Sequence, residues 1–268
     1  MLTFPNAKIN LGLNVATRRQ DGYHDLETVF FPVKGLCDAL EFVESDSTSL
    51  EIFGVKVGGY IEDNLIIRAL RLLQKDFEIP QLRCYLKKNI PLGAGLGGGS
   101  ADAAFMLKML NERFSLNLSN DVLEKYAAKI GADCPFFIRN TPVFAEGTGN
   151  IMTNINISLQ GNYLLLVKPN IHVSTADAYK MIKPQKWNIP LLEIIKLPVE
   201  NWKKYLLNDF EPNVFNLHPE LAEIKQKMYK LGAKYAAMSG SGSTIYGIFP
   251  QKPNVAAFRE CFLFVGEM

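Results

Sequence analysis

One stretch of the 268-residue sequence prescribes chemistry by residue type and spacing: Pro91-Leu-Gly-Ala-Gly-Leu-Gly-Gly-Gly-Ser-Ala-Asp-Ala-Ala104. Gly93, Gly95, Gly97, Gly98 and Gly99 fall within seven residues and open onto residues 100–110, a run of good helix formers. Glycine lets the backbone take left-handed conformations and bring N–H groups close to a ligand. A helix starting there adds unpaired N–H groups and the positive end of its dipole. Phosphate is the natural occupant of such a place. The plain alternative is a strand-to-helix turn without a ligand, but a turn needs one or two glycines, and five carry a large ordering entropy.

The elements that must position this loop follow from periodicity. Residues 7–15 alternate apolar and polar, predicting a half-buried strand with Lys8 and Asn10 on its open face. Asp21-Gly22 marks a hairpin tip, leading through Tyr23-His24 to a second strand near 28–33. Further strands are expected near 39–43 and 49–52, then a helix over 65–75 capped by Asp63 or Asn64. A strand over 82–87 enters the glycine loop. A helix over 122–130 follows the cap cluster Ser119-Asn-Asp121 and closes at Gly131. Gly147-Thr-Gly149 and the polar residues 150–156 read as a weak seam, dividing the chain into 1–153 and 154–268.

Beyond the seam, the pattern predicts a strand over 162–167 and a helix containing Tyr179, capped by Ser174 or Thr175. A polar loop over 183–188 and helices over 190–197, 199–207 and 219–231 come next. A second glycine-bearing turn, Ser239-Gly-Ser-Gly-Ser243, leads into a strand over 244–249, a helix over 255–261 and a short apolar tail. Mixed strands and helices in both halves imply an α+β protein rather than a regular βαβ winding.

Composition sets the bounds. Hydrophobic content of 48%, charged content of 21% and net charge +2 describe an ordinary soluble globular chain. They give no footing for a nucleic-acid or membrane-surface partner. Cys37, Cys84, Cys134 and Cys261 are scattered without a C-x-x-C pair, as expected of reduced thiols. No signal peptide and no apolar run of about 20 residues is evident, so a cytoplasmic location is expected.

Three phosphate-binding motifs can be weighed. The P-loop requires a lysine at the helix start, which is missing. Gly93, Gly95 and Gly98 spell a dinucleotide fingerprint, but no strand ending in an acidic residue follows at the required distance. Protein-kinase glycine loops lie between two strands, and no His-Arg-Asp or Asp-Phe-Gly appears. What remains is a resemblance. Pro91 to Ala104 is similar to the central motif of the GHMP kinases. Pro5-Asn-Ala-Lys-Ile-Asn-Leu11 and Met238-Ser-Gly-Ser-Gly-Ser-Thr-Ile-Tyr246 resemble that family's first and last blocks. Asp21-Gly-Tyr-His24, Glu62-Asp-Asn-Leu65, Gly131-Ala-Asp-Cys-Pro135 and Asn208-Asp-Phe-Glu211 resemble one branch in particular, the kinases of CDP-linked methylerythritol. One departure is Ala101, where many relatives carry a second serine.

The resemblance implies a two-domain α+β fold, with an N-terminal domain like ribosomal protein S5 domain 2 and a ferredoxin-like C-terminal domain. It implies transfer of phosphate from ATP, carried with Mg²⁺, to a hydroxyl of CDP-methylerythritol; a homoserine- or mevalonate-type member is the alternative enzyme. An RNA-binding module is a further alternative that the S5-like half suggests and the near-neutral charge opposes. Asp133 matches the family's catalytic base, although a cap for a segment starting at Pro135 is an equal reading of the residue itself. Lys8 matches the assisting cation, where an isolated strand lysine would otherwise solvate an exposed face. Asn10 would position substrate. Tyr23, His24 and Tyr179 would take the cytidine, or else be a hairpin flank and a core residue. Thr175 would contact diphosphate or cap its helix. Pro91, Gly93, Ala94, Gly95, Leu96, Gly97, Gly98, Gly99, Ser100 and Ala101 would receive the ATP phosphates, with Asn64 and Leu65 near the adenine. Ser100 is the one candidate metal ligand. Gly240, Ser241 and Gly242 would pack on the first loop and approach the substrate diphosphate, or form a plain hairpin turn.

Overall fold

The computed structural model describes residues 1–55, 58 and 60–268. In chain order the elements are β1 (Leu2–Thr3), β2 (Asn6–Arg18), β3 (His24–Cys37), β4 (Ala39–Glu44), β5 (Ser49–Gly54), α1 (Leu65–Gln74) and β6 (Leu82–Lys88). Then come α2 (Gly98–Arg113), α3 (Asn120–Ala128), α4 (Phe136–Arg139), β7 (Val143–Glu146), β8 (Ile151–Asn154), β9 (Tyr163–Lys168) and α5 (Thr175–Lys180). The chain finishes with α6 (Leu191–Ile195), α7 (Val199–Tyr205), α8 (Glu211–Leu217), α9 (Pro219–Lys230), β10 (Tyr235–Met238), β11 (Ile245–Phe249) and β12 (Phe262–Glu267). Among the described residues, no helix is long and apolar enough to cross a membrane.

Two compact units result, each gathered from separate stretches. The first comprises Met1–Ala7, Leu36–Leu92 and Gly97–Thr141; the second comprises Lys8–Gly35, Gly93–Leu96 and Pro142–Met268.

In the first unit β1, β4, β6 and β5 form a sheet in that order, antiparallel except for the parallel β5–β6 pair. Strand β6 alternates as a strand with one covered face should, burying Leu82, Cys84, Leu86 and Lys88. The Asn64 side chain caps α1 by accepting from Ile66 N at 3.0 Å, which settles the cap in favour of Asn64 over Asp63. Helix α1 buries Ile66, Ile67, Ala69, Leu70 and Leu73 at helical spacing and packs on α2. Helix α2 buries the small residues Ala101, Ala103 and Ala104. Ser119 caps α3, as expected.

The second unit carries two four-stranded sheets, β2-β3-β7-β8 and β10-β11-β9-β12. The hairpin of β2 and β3 turns at Asp21-Gly22, in line with the sequence. Leu165, Val167, Met238 and Ile245 from the second sheet join Leu221 and Met228 of α9 in one core.

Several expectations are corrected. Strand β2 is buried on both faces from Asn6 to Ala16, because its polar side chains are bonded within the fold rather than solvated. Gly147-Thr-Gly149 forms the turn of the β7–β8 hairpin, where Asn150 Oδ1 accepts from Thr148 N and Oγ1. Residues 255–261 form only a short 3₁₀ turn, Ala256–Phe258, and the apolar tail is strand β12, paired along β9. Helix α7 ends at Tyr205, and α8 was not foreseen.

Candidate active site

In the second unit, hydrogen bonds lay the two glycine-bearing turns against each other. Ser239 Oγ donates to Gly95 O at 2.8 Å and accepts from Asn10 N at 3.3 Å. Thr244 N donates to Ala94 O at 3.3 Å, and Lys8 N to Leu96 O at 2.9 Å. Gly95 has φ +75°, and a Cβ there would stand 1.9 Å from Ser239 O, so this crossing admits only glycine. The Gly240-Ser241-Gly242 turn is therefore both the β10–β11 hairpin turn and the support of the first loop. Asn208 Nδ2 fixes its shape by donating to Met238 O and Gly240 O, both at 2.8 Å. Thr175 Oγ1 lies 2.9 Å from Ser241 Oγ, while Ser174 caps α5, so Thr175 is not the cap.

Lys8 and Asn10 share this neighbourhood. They are 4% and 3% exposed, and Lys8 Nζ donates to Asn10 Oδ1 at 2.6 Å. Asn10 Nδ2 in turn donates to Thr28 Oγ1 at 3.0 Å, and the Lys8 ammonium stands 4.8 Å from the Phe30 ring centroid. A cation so shielded from water exerts a strong field on any anionic oxygen brought to it. Tyr23 is 66% exposed at the hairpin tip. His24 stacks on Tyr179 at 5.1 Å and 24°, and Tyr179 meets Phe210 edge-on at 4.8 Å. A base between two rings needs about 7 Å, twice a carbon contact, so a ligand ring adds to this stack from outside rather than entering it.

The first unit holds the rest. Gly97, in the left-handed region at φ +70°, precedes α2, so the N–H groups of Gly98, Gly99 and Ser100 begin the helix without partners four residues back. Burial pushes the pKa of the Cys134 thiol up to about 11, against a smaller lowering influence of Ser100. A cavity of about 310 Å³ is lined by Asn64, Leu65, Leu92, Gly99, Lys88 and Asp102, among others. This brings Asn64 and Leu65 to the start of the loop helix. Asp133 is half-buried between α3 and α4; the position that caps α4 is Pro135.

The sequence reading missed one cluster here. Lys88 Nζ, buried, pairs with Asp38 Oδ2 and lies 2.8 Å from Asp102 Oδ2. Asp38 Oδ1 accepts from Asn89 N and Ile90 N at 2.6 and 2.8 Å, fixing the exit from β6 into the glycine loop. Burial raises the Asp102 carboxyl to about 8, against the opposing pull of Lys88, and its Oδ1 has no hydrogen-bond partner among the described residues. The available signal was the period-two register of Leu82, Cys84, Leu86 and Lys88, which points the lysine inward.

Comparison with known proteins decides the family. The GHMP kinases N terminal domain matches residues 64–141, and the GHMP kinases C terminal domain matches residues 192–266. The chain belongs to the GHMP kinase family. This GHMP kinase is accordingly a small-molecule kinase with the two-domain fold of mixed helices and sheets. It is 53% identical over 272 residues, all of both chains, to a 4-diphosphocytidyl-2-C-methyl-D-erythritol kinase of Parabacteroides distasonis. It is 55% identical to one of Bacteroides thetaiotaomicron, covering 93% of this chain and 92% of the other. A crystal structure of 4-(cytidine 5'-diphospho)-2C-methyl-D-erythritol kinase superposes with a TM-score of 0.80 at 33% identity, over 92% of this GHMP kinase and 90% of that chain. A homoserine kinase from Cytophaga hutchinsonii shares the fold at a TM-score of 0.71 and 18% identity, covering 98% and 95%.

Proposed function

We propose that this GHMP kinase transfers the γ-phosphoryl group of ATP to the 2-hydroxyl of 4-diphosphocytidyl-2-C-methyl-D-erythritol, giving the 2-phosphate and ADP in isoprenoid precursor synthesis in the cytoplasm. The observation that carries this reading is the 53% identity, end to end, with a kinase of that name. The ring stack of His24 and Tyr179 beside exposed Tyr23 adds to it, since a pyrimidine has a face for such rings and a small alcohol has none.

In this mechanism the unpaired N–H groups of Gly98, Gly99 and Ser100, with the loop of residues 93–97, receive the ATP phosphates. Leu65 and Asn64 flank the adenine. Asp133 takes the proton of the attacking hydroxyl, Lys8 offsets the charge that develops there, and Asn10 holds Lys8 and the substrate in register. Thr175, Gly240, Ser241 and Gly242 border the substrate diphosphate. Among the described residues there is no cluster of three acidic, histidine or cysteine side chains for a metal. A Mg²⁺ carried in on the nucleotide would be held mainly by phosphate and water, with the Ser100 hydroxyl as the candidate protein oxygen. Such an ion would supply charge neutralisation for the phosphoryl group in transfer. The functional division we propose is 1–153 for nucleotide binding and catalysis and 154–268 for the substrate side.

The test is ADP release measured with the CDP-linked substrate, mevalonate and homoserine in parallel. Turnover confined to the first is expected. Equal or better turnover of either small alcohol overturns the assignment.

A further inference from the structure

The second unit also contains a cavity of about 960 Å³, within the size range of small-molecule sites, whose lining shares Asn208 with the support of the second glycine turn. Its walls come from the 181–189 segment and from α6, α7, α8 and α9. The segment has no helix or strand, yet it is pinned along its length. Asn213 Nδ2 donates to Met181 O at 2.7 Å, Gln185 N to Val15 O at 3.0 Å, and Trp187 Nε1 to Asp209 Oδ1 at 2.9 Å. The cavity wall is thus built before any ligand comes.

Its charges are unevenly satisfied. Asp209 Oδ2 accepts from Asn14 Nδ2 and Val15 N, and its Oδ1 takes the indole, so this acid is fully engaged. Glu211 pairs with Lys225 at 2.5 Å and accepts from Met238 N at 2.8 Å. Lys183 and Lys204 line the same cavity and enter none of the ion pairs among the described residues. Lys186 lines it too and acts at longer range on Asp25, which is outside the lining. The rings of Trp187, Tyr205 and Phe215 supply apolar surface beside these ammonium groups. An anion-binding edge next to ring faces selects a ligand with both parts.

We propose that this cavity is a second ligand site, separate from the phosphoryl-transfer site, for a soluble phosphate ester with a ring or branched apolar group. The phosphate meets Lys183, Lys186 and Lys204, and the apolar group lies on Trp187 and Phe215. Trp187 reports on it directly, because the other tryptophan, Trp202, is 1% exposed and bonded to Leu197 O.

The experiment titrates the protein with phenyl phosphate at fixed ionic strength and follows tryptophan emission, with inorganic phosphate and phenol as partial ligands. A saturable change is expected, absent in Trp187→Phe, with phenyl phosphate binding at least tenfold more tightly than inorganic phosphate. Lys183→Ala/Lys204→Ala should weaken it at least fivefold. Saturating CDP and ATP should leave the titration unchanged. Displacement by CDP would assign the signal to the substrate site and overturn the proposal. Indifference to the double lysine variant, or equal affinity for inorganic phosphate, also overturns it. So does a preference for phosphatidylglycerol vesicles over the soluble ester, which would make the patch a membrane contact.

Discussion

Lys8 and Asp133 are the residues on which the proposed chemistry stands. A positioned proton acceptor typically contributes a factor of about 10²–10⁴, so Asp133→Asn should lower kcat at least a hundredfold while ATP affinity, read with a fluorescent nucleotide, stays within a few-fold. Lys8→Ala should do the same, with some loss of stability because Asn10 loses a buried partner. Turnover near the parent level in either variant would remove that residue from the mechanism. Tyr179 tests the substrate side. Stacking on a base is worth about 1–3 kcal/mol, so Tyr179→Ala should raise KM for the CDP-linked substrate roughly tenfold or more and leave KM for ATP unmoved.

Asp102 makes a prediction about stability. Its folded pKa is raised from the ordinary value to about 8, so the folded chain holds one proton more than the unfolded chain between about pH 4 and pH 8. Stability attributable to this group therefore falls as pH rises through that window. Asp102→Asn removes the titration and keeps an oxygen for Lys88. Its Tm should decline less than the parent's between pH 5 and pH 8. Parallel Tm profiles would show that the carboxyl is already ionised in the fold.

At the scale of elements, the crossing of the two glycine turns is the most constrained place in the second unit. Gly95→Ala should fold poorly, with Tm lowered by many degrees, because its Cβ meets the Ser239 carbonyl and its φ is positive. Gly22→Ala also has a positive φ of +86°, yet nothing lies within 4 Å, so it should cost about 1 kcal/mol and leave turnover intact. Near-identical melting of the two variants would mean the turns part without consequence.

Those turns were legible in the sequence because glycine spacing answers a local backbone demand. The β2–β3 hairpin, α1 with its Asn64 cap and the loop helix were legible for the same reason: their signals lie within a few residues. What escaped depends on distant partners. Lys8 and Asn10 read as an open strand face, since the covers at Thr28 and Phe30 lie on another strand. The last residues read as a helix and a loose tail because β9, which pairs β12, is about a hundred positions away. Lys88 was missed because a charged residue at an inward register looks like the end of the pattern until Asp38 and Asp102 are seen around it.

At the scale of the molecule, the same fold serves homoserine and mevalonate kinases, so the architecture alone does not choose the substrate. In the function we propose, choice rests on what the second unit hangs on the scaffold: the Asp21-Gly22 hairpin with Tyr23 and His24, and α5 with Tyr179.

The way the units are threaded also sets an order of events during synthesis. The second unit takes Lys8–Gly35 from near the start of the chain and Pro142–Met268 from its other end. Strand β2 meets Asn208 and Tyr246 only after some two hundred further residues have been added. Contacts of such long separation carry a large closure cost before they return any stabilisation. A growing chain therefore exposes a long apolar strand until most of it has been made, and depends on its surroundings to keep that strand from pairing elsewhere. A fragment of residues 1–141 should be cut by protease within 8–35, a stretch that resists in the whole protein; resistance in the fragment would show that the strand has found cover without its late partners.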